Sequence, residues 1–214
     1  MNSADPQGVP SGAEHNMAAI AVAFEGGLGL LALLLGWLVG VWPVPGLARS
    51  GIAWDQQLPA LAWGLAATGP MLLGFWLIDR FAWGPLADLK ADVERLVVPV
   101  FRDSSVVDLA LVAAAAGAGE ELLFRGLIQH GLAQWLGEPW GVWMALAVAS
   151  VLFGLAHMLS ATYAVLAALI GAYLGLLLIW TGNLLATALA HGLYDFVALL
   201  YMVRDNSTSH VAES

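Results

Sequence analysis

Residues 139–194 read PWGVWMALAVASVLFGLAHMLSATYAVLAALIGAYLGLLLIWTGNLLATALAHGLY, 56 consecutive positions without an Asp, Glu, Lys or Arg. A bilayer core about 30 Å thick takes roughly 20 apolar residues per spanning helix, so this stretch holds nearly three. Leu159-Ser160-Ala161-Thr162 and Thr181-Gly182-Asn183 are its polar breaks, and they predict helices near 140–158, 162–180 and 184–203. Upstream, 106–135 reads as one long helical segment, apolar except for Glu120, Glu121 and Arg125. Two further apolar runs precede it. Residues 18–41 are interrupted only by Glu25 near the start and are closed by Trp42-Pro43-Val44-Pro45-Gly46; residues 58–78 carry no charge and end at Asp79-Arg80. The first run is too long for a signal-peptide core and lacks a basic leader, so an uncleaved span is expected.

Between these runs the pattern becomes amphipathic. Residues 85–101 place Leu86, Leu89, Val93, Leu96, Val97 and Val100 at helical spacing, with Asp88, Lys90, Asp92, Glu94 and Arg95 elsewhere. This describes a helix lying in the membrane interface and stopping near Pro99. The fold expected is all-α: a polytopic integral membrane helix bundle of about six transmembrane helices plus an interfacial amphipathic helix. Residues 17–105 form an accessory part with two spans and the interfacial helix, and 106–204 a membrane core carrying the polar motifs. The polar ends, 1–16 and 205–214, are expected to be disordered.

Composition excludes the main rival classes. Of 214 residues, 60% are hydrophobic and 11% charged, with a mean hydropathy of +0.81. Soluble domains carry about 25% charged residues, enough to cover a wet surface, which this chain lacks. Seven Lys and Arg against 16 Asp and Glu, a net charge of −9, do not suit a nucleic-acid partner. Cysteine is absent, which removes disulfides and thiolate chemistry. Arg80, Lys90, Arg95 and Arg102 follow the second span and Arg204 the last, opposed only by Arg49. That bias places both termini on the cytoplasmic side of a bacterial-type plasma membrane. Trp42, Trp54, Trp83, Trp135, Trp140 and Trp180 fall near span ends, where indole prefers to sit, and Gly171/Gly175 form a small-xxx-small pair that lets two helices approach.

An ionisable side chain at the bilayer centre costs on the order of 2.5–3.5 kcal/mol, so Glu120, Glu121, Arg125, His157, His191 and Asp195 call for an explanation. Glu121 and Arg125 are four apart and can meet as an ion pair. Glu120 is turned about 100° from Glu121 and faces another surface, free to take a proton as a general base. Phe153 and His157 lie one turn apart, as do His191 and Asp195, and Asn183 lies roughly on the side of His191. Each group has a structural alternative: a buried salt-bridge cluster, a hydrogen-bonded core histidine, a carboxylate orienting an imidazole. Together, on three otherwise uncharged helices, they point to one convergent polar chamber holding a carboxylate base and two imidazoles. Those are the groups that water activation requires.

These residues also carry a family resemblance. Glu120-Glu121-Leu122-Leu123-Phe124-Arg125 resembles the EExxxR motif of the CAAX prenyl protease and bacteriocin-processing (CPBP, or Abi) family of intramembrane proteases. Phe153-Gly154-Leu155-Ala156-His157 resembles its FxxxH motif, and His191 to Asp195, with Asn183 upstream, its HxxxN or HxxxD signature. The likeness covers about 106–202. It implies an endopeptidase acting on a peptide or protein substrate, prenylated or membrane-bound. It further implies that Glu120 and His157 activate water, Glu121 pairs with Arg125, and His191 with Asp195 steadies the oxyanion. Whether such enzymes use a metal is read both ways, as metalloprotease and as glutamate protease. Asp195 departs from the commoner Asn. An ionised Asp only accepts hydrogen bonds, so it serves if protonated, if it orients His191, or if it ligates a cation. His157, His191, Glu120 and Asp195 match the ligand types of zinc. Two rival functions stay open: a catalytically inactive scaffold or bacteriocin-immunity protein of the same fold, and a transporter or proton relay. The last is disfavoured by the lack of repeated halves and of a Gly/Pro-broken helix pair.

Overall fold

The computed structural model describes residues 12–47 and 53–212, with side chains over 17–47 and 53–204. Among the described residues every regular element is a helix. The chain opens with α1 (Gly12–Val39) and α2 (Trp54–Phe81), followed by the short α3 (Pro85–Leu96) and α4 (Val98–Phe101). Then α5 (Val106–Glu121) passes directly into a π-helical segment, Leu122–His130, and on into α6 (Gly131–Leu136). The last three are α7 (Gly141–Ala156), α8 (Ala161–Thr181) and α9 (Leu184–Ala212).

Among the described residues four segments are long and apolar enough to cross a bilayer: Met17–Val39, Trp54–Phe81, Ala161–Thr181 and Leu184–Arg204. The helix α7 is apolar but has 16 residues, and the continuous run from α5 through α6 is charged at its centre. The six expected spans therefore become four that qualify unaided, one shorter apolar helix and one long helix with a polar middle. The expected disorder at 1–11 and the opposing Arg49 lie outside the described residues. Two boundaries differ from expectation. Helix α1 already begins at Gly12, and α9 continues to Ala212, so backbone expected to be disordered at 12–16 and 205–212 is helical. The amphipathic segment also breaks at Val97, before its expected stop. Pro99 has no N–H to return to the preceding turn, which explains why α4 restarts as a separate turn there.

The interior is built from small residues and the exterior from large ones. Ala32, Ala145, Ala186 and Ala190 are fully buried, whereas Leu30, Trp37, Trp76, Leu169 and Trp180 lie outside. This inversion is what a lipid solvent permits. Acyl chains are as apolar as leucine, so helices associate through close packing of small side chains. Helix α5 is the centre, packed between α1 and α9, while α2 lies against α9 and α7 against α8. Two glycines set the spacing. A Cβ on Gly117 would sit 2.7 Å from the Ala188 carbonyl oxygen and the Gly192 nitrogen, and one on Gly119 would collide with the Glu25 carbonyl. Absence of those side chains lets α9 and α1 press onto opposite sides of the turn that carries Glu120 and Glu121. The start of α5 is fixed by a capping box: the Asp108 N–H donates to Ser105 Oγ at 3.1 Å and the Ser105 N–H to Asp108 Oδ2 at 3.0 Å.

Candidate active site

Glu120 and Glu121 end α5, just where the helix widens into the π-helical segment. Such widening recurs at functional sites because it re-aims side chains without ending the helix. Glu121 is fully buried. Its Oε1 lies 2.8 Å from Arg125 Nη1 and 2.9 Å from His191 Nδ1. Arg125 is held on two further sides. Its Nη2 donates to the Gly171 carbonyl at 3.1 Å, and its guanidinium lies 4.2 Å from the centroid of the Phe153 ring. The expected ion pair is thus present, with an addition: the same carboxylate also fixes the second imidazole.

Glu120 turns to another wall, as the 100° rotation predicts. Its Oε1 is 3.5 Å from His157 Nε2 and its Oε2 is 3.9 Å from His191 Nε2. Oε2 is buried with no hydrogen-bond partner. His157 follows the last turn of α7, where its Nδ1 lies 2.9 Å from the Phe153 carbonyl oxygen. A carbonyl only accepts, so Nδ1 carries the proton and Nε2 is presented to Glu120. The imidazole stacks on Phe153 with centroids 4.4 Å apart, and the same ring meets His191 edge-on at 5.8 Å. Asp195, one turn beyond His191 on α9, places Oδ2 3.3 Å from His191 Nε2. Glu120, Glu121, Arg125, His157, His191 and Asp195 therefore meet at one place, from three segments of the chain.

That place is the polar end of a chamber of about 600 Å³ whose walls are otherwise mainly apolar and aromatic. The chamber reaches as far as a clasp between Asp79 at the end of α2 and Lys90 on α3. Lys90 Nζ lies 2.7 Å from Asp79 Oδ1, and Tyr201 Oη donates to Asp79 at 2.8 Å. The hydrogen bond to Asp79 raises the Lys90 ammonium above its ordinary pKa. A second cavity, about 380 Å³, adjoins the first and shares Glu25, Glu120 and His157 with it.

One grouping from the sequence needs correction. Asn183 is not among the residues that line the chamber. It precedes α9, accepts the Leu185 N–H at 2.9 Å and donates to Gln57 Oε1 at 3.1 Å, while Gln57 donates to the Gly46 carbonyl. It is a cap and a tie between helices; spacing of eight residues had put it on the side of His191 but a full two turns away. The Gly171/Gly175 pair does admit a neighbour closely, at Ser150 and Phe153 of α7 for Gly171. Its carbonyls have a second use, since Gly171 accepts from Arg125 and Gly175 from Gln129. Gln129 and Glu25 are polar residues that sequence reasoning passed over. The signal for Glu25 was available, an acid inside an apolar run, but its place near the start of that run made it look like a boundary.

Among the described residues no group of three or more His, Asp or Glu is placed to hold a metal ion. The two imidazoles flank opposite oxygens of Glu120, and His191 gives its other nitrogen to Glu121. The zinc expectation therefore gains no ligand set from this arrangement.

Comparison with known proteins agrees with the motifs. Residues 102–197 match the family described as type II CAAX prenyl endopeptidase Rce1-like. The resemblance read from the three motifs holds over that stretch, which begins just before α5 and ends just after Asp195. No curated protein and no solved structure matches the chain. The match and the helical bundle together support a CAAX-type intramembrane protease fold.

Proposed function

We propose that the chain is an intramembrane endopeptidase whose nucleophile is a water activated by Glu120 and His157. The observation that carries this reading is the convergence of an unpartnered carboxylate oxygen and two imidazoles on one chamber inside an apolar bundle. A water between Glu120 Oε1 and His157 Nε2 meets two acceptors and loses a proton to the carboxylate as its oxygen attacks the peptide carbonyl. His191, as an imidazolium with its Nδ1–H anchored on Glu121, presents Nε2–H to the oxygen that becomes negative, the task of an oxyanion donor. Asp195 orients that imidazole from the same side. The fully buried Arg125 takes no part in bond making; it holds Glu121 in place.

The test is cleavage of quenched-fluorescent peptides, with and without a farnesylated CAAX end, by full-length protein in lipid nanodiscs. Glu120→Gln keeps shape and removes the base, and is expected to lower kcat by about 10²–10⁴-fold; cleavage at the parental rate overturns the assignment. The surrounding membrane is proposed to be a bacterial-type plasma membrane with both termini cytoplasmic. Because the chain has no cysteine, single Cys reporters at either end decide the orientation. Labelling of both from the outside of intact cells overturns it.

A further inference from the structure

One acid beside Glu120 at the polar end of the chamber has no role in these steps. Glu25 comes from α1, outside the stretch that matches the family. It lines both cavities, in each case together with Glu120 and His157. Its Oε2 is buried and has no hydrogen-bond partner, as is also true of Glu120 Oε2. It interacts electrostatically with Glu120, His157, Asp195 and His191. Its backbone is held in register by Gly119, which immediately precedes Glu120 and tolerates no side chain against the Glu25 carbonyl.

Peptide hydrolysis needs two proton transfers, one from water during attack and one to the amine as the C–N bond breaks. The histidines and the arginine around Glu120 are engaged. Arg125 is committed to Glu121 and Gly171. His157 Nδ1 is tied to the Phe153 carbonyl and its Nε2 faces Glu120. His191 lies between Glu121 on one nitrogen and Asp195 with Glu120 on the other. Tyr163 of α8 lines the chamber beyond the His157 ring. Glu25 keeps a buried oxygen with no partner. Two carboxylates facing one water-poor space repel, and a proton resting on one relieves the repulsion.

We propose that Glu25 is a second acid–base carboxylate of the chamber, holding the proton that the leaving amine takes when the C–N bond breaks. The proposal rests on the endopeptidase reading. In balance, water gives one proton to Glu120 as the C–O bond forms, and Glu25 gives one to nitrogen as the C–N bond breaks. Glu120 then passes its proton to Glu25, and both carboxyls return to their starting states.

The experiment uses the full chain in nanodiscs and a farnesylated, quenched-fluorescent CAAX peptide as probe. Glu25→Gln is expected to lower kcat about 10²-fold, leave KM near the parental value, and abolish the alkaline limb of the pH–rate profile. Glu25→Asp, which keeps the acid, restores that limb at a reduced rate, which a packing role would not do. Infrared spectra at neutral pH are expected to show a protonated-carboxyl stretch in the wild type that is missing from Glu25→Gln. Wild-type turnover that is lost in Glu120→Gln but kept in Glu25→Gln, with the same pH profile, overturns the Glu25 assignment alone. A wild type that cuts neither this peptide nor the wider panel removes the endopeptidase reading and the donor role with it. Identical carboxyl bands in wild type and Glu25→Gln overturn the proton store.

Discussion

Two buried polar groupings of the bundle, a small one at Asn183 and a larger one at Glu120, differ in one telling respect. Around Asn183, Gln57 and the Gly46 carbonyl every polar side chain has a partner, and the effect is to tie α9 to α2 and to the turn before it. Around Glu120, two imidazoles and three carboxylates crowd together, yet Glu120 Oε2 and Glu25 Oε2 are left without partners and both residues line open cavities. A satisfied network fixes a fold; an unsatisfied one beside a cavity is poised for something not yet bound. Burial of polar side chains in an apolar bundle is common to both and distinguishes nothing. The unspent hydrogen-bonding capacity does.

Substitutions sharpen this contrast. The largest effect is expected from Glu120→Gln, a loss of about 10²–10⁴-fold in kcat with unfolding in detergent no easier than in the parent. A marked loss of stability would instead make Glu120 a structural residue like Asn183. Arg125→Met comes next: removing one partner of a buried ion pair costs about 3–5 kcal/mol, read as a lower melting temperature, because Glu121 then keeps only its contact with His191 Nδ1. Asn183→Ala is expected to cost about 1–3 kcal/mol of stability through the lost cap and the stranded Gln57, while turnover per folded molecule stays at the parental level. A selective loss of kcat there would erase the distinction between the two networks. The smallest effect belongs to Asp195→Asn, which keeps the shape beside His191; turnover changes by less than about tenfold, the worth of roughly one hydrogen bond. Complete inactivation would show that the Asp195 charge enters the reaction directly.

Much of this was legible in the amino-acid order because a bilayer reads charge so strictly. The uncharged stretch 139–194 announces its helices, and the breaks fall where Ser160 and Gly182 cap the ends of α8. One-turn spacing in Glu121/Arg125 and His191/Asp195 correctly forecasts pairs that form. Other features are invisible to spacing. A π-helical segment of nine residues has the same apolar composition as an α-helical one, so periodicity over so short a run does not separate them. That Glu121 reaches His191, 70 positions away, depends on how closely α5 and α9 approach at Gly117, a distance no local pattern encodes. Asn183 shows the converse failure. Helical phase placed it on the side of His191, but two turns of rise carried it to a different layer of the bundle.

One aromatic ring has consequences for how any variant here is interpreted. Phe153 touches Phe124, stacks on His157, meets His191 edge-on and lies beneath Arg125. It acts as a shared bearing: four neighbours from three segments rest on the two faces and the rim of a single benzene ring. Displacement of any one of them is transmitted to the rest, so the pocket behaves mechanically as a unit. Trimming Phe153 would therefore loosen every part at once, and isosteric changes at its neighbours are the sharper tools.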